Sequence, residues 1–208
     1  MDTFKKQWLE LAKKYSSDEL LINQCYDTLC YGYYEPERYY HNMQHIQSML
    51  EEIYNCKNNS LDIDSLLFAT WFHDVSYNPK SHTNEAESAA LAIVLLKQLD
   101  VPEVKIQTVQ KLILSTINHT KATNSDTNLN FFLDCDLKIL GATKEEYMLY
   151  AENIRKEYKH VIGFIYRMER KKVLKRFIES ASIYRTDYFR NKYEEQARSN
   201  ILFEIKNL

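Results

Sequence analysis

Glycine and proline are both scarce in this chain, three of each in 208 residues. Turn-rich β architectures need such residues at their reversals, so the scarcity favours helices joined by short loops. Cysteine occurs four times, as Cys25, Cys30, Cys56 and Cys135, and never at Cys-x-x-Cys spacing. That disfavours a zinc ribbon or a redox dithiol and suits reduced thiols in a cytoplasmic protein. No stretch approaches the roughly 18 uncharged apolar residues that a membrane-spanning helix needs. The opening residues Met1-Asp2-Thr3-Phe4-Lys5-Lys6 lack the apolar core of a signal peptide. Charge of one sign is lacking too: the formal net charge is −2, so there is no global basic field to hold a nucleic-acid backbone. The expectation is an all-α, cytoplasmic, single-domain protein over 1–208, with 45% hydrophobic residues to fill one core. Neither a membrane nor a nucleic-acid polymer is expected as a partner.

Periodic apolar positions mark the helices. One amphipathic piece runs through Trp8, Leu9, Leu11 and Ala12. A second begins at Ser16, where Ser16-Ser17-Asp18-Glu19 has capping-box spacing, and reaches about Leu29 before the Tyr-rich stretch Tyr31 to Pro36 breaks it. The next starts at Pro36 or Asn42 and runs to Tyr54, and Asp62 to Phe72 is apolar nearly all round, which predicts a central helix. Helices over Glu85–Leu99 and Pro102–Asn118 follow, then a polar loop from Thr120 to Asn128 and an element from Leu129 to Leu140 ended by Gly141. A second capping box, Thr143 to Glu146, opens a helix to about His160. The last helix carries the stripe Phe189, Tyr193, Ala197 and Ile201. A basic run, Arg167, Arg170, Lys171, Lys172, Lys175 and Arg176, reads as a solvated helix face that can also attract a phosphorylated substrate.

Against this background one juxtaposition requires explanation. His73-Asp74 closes the apolar run Leu66 to Phe72, and a buried imidazole and carboxylate need a cation or a polar partner. Upstream, Tyr40-His41-Asn42-Met43-Gln44-His45 places His41 and His45 at i and i+4, on one face of a predicted helix. Downstream, Leu133-Asp134-Cys135-Asp136-Leu137 supplies two further carboxylates. The 16 tyrosines fall at helical spacing and read as core, so none is assigned to a substrate. His82 and His160 lie in polar surroundings and are expected at the surface.

A His, then a His-Asp pair, then a distant Asp resembles the HD superfamily of metal-dependent phosphohydrolases. Residues 38 to 142 carry the resemblance, with the C-terminal helices over 143–208 expected to pack on that core. It implies a single-domain helical bundle in which His45, His73, Asp74 and Asp136 hold a metal. Asp136 is taken rather than Asp134 because the segment looks like the family's Asp-Ala-Asp, whose second aspartate ligates. Tyr40-His41-Asn42-x-x-His45 also looks like the matching stretch of cyclic nucleotide phosphodiesterases. That likeness implies His41 as the general acid. After His73-Asp74, however, stand Val75-Ser76-Tyr77, where those enzymes have a second Asp and a His, so their cyclic-ester chemistry is not implied. Together with Asn84-Glu85 and Ser88-Ala89, the motifs are most similar to a small family of uncharacterised bacterial HD proteins.

Two imidazoles and two carboxylates suit Mn, Fe, Co, Ni or Zn, with Mg also compatible, and can leave positions open for water. The function this implies is hydrolysis of a phosphomonoester or phosphodiester of a nucleotide or similar small metabolite by metal-activated water, with Asp74 also in a catalytic role. Two alternatives share the scaffold: a catalytically inactive nucleotide-binding or regulatory module, and a di-iron oxygenase. Glu85 is a further catalytic candidate that can orient water, although charge compensation at a helix N-terminus explains it equally. His119 is a candidate for a second metal or a phosphate contact, against a plain role at a helix C-terminus.

Overall fold

A computed structural model describes residues 3–56, 58–119 and 125–208. The chain is all-α: the described residues form ten helices and two 3-10 turns, without a strand. No helix among them is long and apolar enough to cross a membrane. The chain divides into two compact units, 1–117 and 118–208.

The first unit holds α1 (Thr3–Ala12), α2 (Glu19–Tyr33), α3 (Met43–Asn55), α4 (Ile63–Phe72), α5 (Asn84–Gln98) and α6 (Glu103–Ser115). Every residue of α4 from Ser65 to Phe72 is buried, which is the central helix that its unbroken apolar run predicts. Helices α3, α5 and α6 pack on it. From α1, Trp8 meets Phe68, Trp71 and Phe72 edge-on, with ring centroids 5.8–6.1 Å apart, and its indole N–H donates to the Ile22 carbonyl. Such edge-to-face pairs lock an aromatic core in one arrangement.

One helix start and one helix end differ from the sequence expectation, and Asn42 is one of the two starts expected for the next helix. The cap of α2 is Asp18, whose carboxylate accepts from the Leu21 amide at 3.0 Å, while Ser16 only accepts from the Asp18 amide. An aspartate adjacent to the first turn wins over a serine two residues earlier. Helix α2 then continues through Gly32 and Tyr33, four residues past the expected stop at Leu29. Asn42 caps α3 by accepting from the Gln44 amide at 2.9 Å, so His41 stands before the helix rather than on it.

The second unit holds α7 (Thr127–Asp136), a 3-10 turn over Leu137–Gly141, α8 (Lys144–Glu157), α9 (Gly163–Glu179) and α10 (Asp187–Asn207). Capped by Asp126, α7 starts at Thr127, two residues before the predicted start, and positions 120–124 of the predicted loop lie outside the described residues. The Thr143–Glu146 capping box is formed in both directions. Gly141 ends the 3-10 turn without a left-handed φ. Its role is close approach, because a Cβ there would lie 2.6 Å from Cβ of Tyr193 on α10. The basic run on α9 is exposed except at the half-buried Lys171 and at Arg170. That guanidinium is buried and forks onto both Glu204 oxygens at 2.8 and 3.1 Å, while the Tyr147 hydroxyl donates to the same carboxylate. Burial raises the Tyr147 pKa and keeps its hydroxyl a donor. A satisfied network replaces the solvated face at that position.

Gly32 is where a single methyl group tests the packing of the first unit. A Cβ there would stand 2.6 Å from the Val75 carbonyl oxygen, a backbone atom that cannot swing away. Glycine-to-alanine inside a helix ordinarily stabilises by about 0.5–1 kcal/mol. Gly32→Ala is expected to do the reverse and cost about 1–3 kcal/mol through overpacking. Urea denaturation reads the sign, and a raised midpoint would contradict the close approach.

Candidate metal centre

In the first unit the site is built at the C-terminal end of α4. His73 is the residue after that helix and still donates its amide to Ala69, so its side chain has a fixed starting direction. Its ring Nδ1 lies 3.0 Å from the Thr70 carbonyl. A carbonyl only accepts, so Nδ1 carries the hydrogen, and in the neutral ring Nε2 offers a lone pair. That Nε2 is 3.1 Å from His45 Nε2 and 3.2 Å from Asp74 Oδ2. His45 Nε2 is 3.9 Å from the same carboxylate oxygen. Both imidazoles are buried, His73 at 1% exposure and His45 at 6%.

These distances set a chemical demand. A neutral Nε2 and a carboxylate oxygen are both acceptors, and two acceptors in contact away from water need a cation between them, either a proton or a metal ion. His45, His73 and Asp74 therefore form a convergent donor set of two ring nitrogens and one carboxylate oxygen. The buried His45 and His73 belong to a group of His and carboxylate side chains whose ligand atoms lie close enough together to hold a metal ion. The donors fit a borderline divalent metal.

The turn that carries Asp74 is held from three sides. Arg38, 7% exposed, donates Nη1 to the Asp74 carbonyl and Nη2 to the Val75 carbonyl at 2.7 Å. Its guanidinium lies 5.4 Å from the Tyr33 ring centre and 5.5 Å from that of Tyr77, and Nε reaches Glu35 at 3.2 Å. The Tyr33 hydroxyl donates to the Trp71 carbonyl at 3.0 Å. On α5, buried Ser88 accepts from the Ser76 amide at 3.1 Å and donates back to its carbonyl. Asn84 likewise brackets the Asn78 backbone with two bonds of 3.0 Å. The Asn84 and Ser88 motif positions thus organise the chain after His73-Asp74.

Asn42 does the equivalent work for His41 and His45. Besides capping α3, it donates to the Tyr39 carbonyl at 3.1 Å, which puts His45 in the first turn and His41 just outside it. His41 stacks on Tyr77 with ring centres 4.3 Å apart and lies 6.2 Å from the His45 ring. Helical i, i+4 placement is therefore corrected to a turn-and-helix placement, and His41 still borders His45. Glu85 stands half-buried in the first turn of α5. Among the described residues no hydrogen bond or ion pair joins it to the trio. His82 and His160 are exposed, as their polar surroundings predict.

The second unit holds the other candidates. Asp134 is fully buried and accepts from the Arg185 and Thr186 amides, both at 2.8 Å, and from the Thr186 hydroxyl. Burial raises its pKa while those bonds pull it back. Its carboxylate is occupied as an anchor. Asp136, two residues on, accepts from His119 Nε2 at 2.7 Å. Sequence reasoning missed Arg38, Tyr77 and Arg185. Spacing does not separate a buried arginine from a surface one, and a hint existed only in the crowd of tyrosines around Arg38. Comparison with family models, with curated proteins and with solved structures gave no match.

The two-carbonyl fork of Arg38 makes a specific demand that lysine cannot meet, since one ammonium does not present two parallel donors. Arg38→Lys is expected to lower stability by about 1.5–3 kcal/mol, the range for one lost charge-assisted hydrogen bond. Urea unfolding of the variant measures it. Wild-type stability would mean that the turn after α4 is held without the fork.

Proposed function

We propose that this protein is a metal-dependent hydrolase of phosphate esters, acting on a phosphomonoester or phosphodiester of a nucleotide or similar small metabolite. One observation carries the reading: the lone pair of His73 Nε2 faces the Asp74 carboxylate at 3.2 Å, with the ring nitrogen of His45 at 3.1 Å, and a cation resolves the meeting of lone pair and carboxylate. In this proposal His45, His73 and Asp74 are ligands. Asp136 enters as the fourth from the His, His-Asp, Asp order of the sequence, and the occupied carboxylate of Asp134 favours it over that neighbour.

A divalent cation bound there supplies positive charge that polarises a phosphoryl oxygen and lowers the pKa of a water. The remaining work falls to the chain. Hydrolysis joins a water oxygen to phosphorus and breaks the ester P–O bond, and the departing oxygen must take a proton. His41 is half-exposed, held by the Tyr77 stack and next to His45, a position from which its ring N–H can deliver that proton and recover one from the water. Tyr40, 5.0 Å from the His45 ring, helps keep solvent from the buried imidazoles.

Elemental mass spectrometry of purified protein, beside an assay of nucleotide monoesters and diesters with added Mn, Co or Ni, tests this. Asp74→Ala and His45→Ala are expected to lose both metal and hydrolysis. His41→Ala should keep the metal and lose about 10²–10⁴-fold in turnover. The loss should be larger for alkyl esters than for nitrophenyl esters, whose leaving group departs without a proton. Full hydrolysis by Asp74→Ala would overturn the proposal.

A further inference from the structure

A closed ring of contacts in the second unit includes two residues, His119 and Arg185, that the hydrolysis described above does not use. Starting on α7, the Asp134 carboxylate accepts from the backbone amide of Arg185 at 2.8 Å. The side chain of that same arginine turns back, and its Nη2 donates to the carbonyl of His119. His119 in turn presents Nε2 to Oδ2 of Asp136 at 2.7 Å, and Asp136 lies two residues beyond Asp134 on α7. The ring closes on the helix where it began.

Each link has a defined direction. Carbonyl and carboxylate oxygens accept, so Arg185 donates to His119, and His119 Nε2 carries the hydrogen that Asp136 receives. Arg185 is costly to place: its side chain is 6% exposed and 4.0 Å from the Asp134 carboxylate, and burying a guanidinium carries a large desolvation penalty. Its Nη2 is spent on the main chain of one histidine. A role confined to capping α10 would not require this, because Asp134 and Thr186 already hold that helix start through backbone bonds and the Thr186 cap.

We infer that His119 and Arg185 are positioning residues for Asp136: His119 orients the Asp136 carboxylate through its Nε2–H, and Arg185 fixes His119. The inference rests on the proposal that Asp136 is a metal ligand. A carboxylate on a rotatable stem loses less freedom on binding a cation when one oxygen is already held, and such supporting hydrogen bonds commonly change metal affinity by about 10–100-fold. With Nε2 committed as a donor, His119 acts on the cation through Asp136 and not as a ligand itself.

Cobalt(II) titrations of the chelator-treated protein, followed by calorimetry and by visible absorption, read affinity and stoichiometry without any substrate. His119→Ala is expected to weaken cobalt about 10–100-fold at unchanged stoichiometry. His119→Gln, whose amide N–H occupies nearly the place of Nε2–H, should restore most of the loss. Arg185→Ala should weaken cobalt in the same direction, and the His119→Ala/Arg185→Ala double variant should add little, because both act through one hydrogen bond. Wild-type affinity in His119→Ala would overturn the inference and leave the metal proposal standing. Two cobalt ions in wild type, with one lost in both His119 variants, would make the imidazole a ligand and overturn it as well. If wild type takes up no cobalt, the metal proposal falls and this inference falls with it.

Discussion

The Arg38 guanidinium donates to the carbonyls of Asp74 and Val75, and the geometry of the first unit's centre depends on that fork. Residues after a helix end have carbonyls without intrahelical partners, and a turn whose carbonyls are unsatisfied can choose among conformations. Here one buried cation satisfies two of them at once. Tyr33 holds the end of α4, Ser88 holds Ser76, and Gly32 brings α2 within contact of Val75. With the backbone so determined, the Asp74 carboxylate is directed at His73. The cost of burying Arg38 is offset by carbonyl and ring contacts, which is how proteins keep arginine in apolar surroundings.

Within that frame the chemistry follows from tautomers. The Thr70 carbonyl dictates which nitrogen of His73 bears hydrogen, and the lone pair then points at a carboxylate and a second imidazole. A protein selecting only for stability would remove such an apposition of acceptors or fill it with apolar groups. At the end of the most buried helix of the unit the local dielectric is low, so the attraction between a cation and the Asp74 carboxylate is stronger there than in water.

The second unit shows how neighbouring carboxylates take different roles. Asp134 and Asp136 stand two residues apart on one helix, yet the first is sealed among backbone amides and the second accepts from the His119 imidazole at Oδ2. Environment, and not residue type, separates anchor from candidate ligand. The buried Arg170–Glu204–Tyr147 set illustrates the same principle on α8, α9 and α10: charge that reads as surface in the sequence becomes a core network once partners converge.

Helix content and the placement of most helices were legible because periodicity, capping residues and the scarcity of glycine and proline are local signals. The apolar run before His73 announced α4 and its burial, and the Thr143–Glu146 pattern announced a real capping box. Histidine and aspartate in a suggestive order were legible too. What the sequence by itself determined is therefore the class of fold, the central helix and the residue types available for a metal. Only the tertiary structure decided that His41 lies before α3, that Arg38 holds the turn after His73, and that Asp134 is an anchor. The physical reason is range: capping and periodicity act within a few residues, whereas the partners of Arg38, Asp134 and Arg185 are tens of residues away, and nothing in the local sequence records who will meet them.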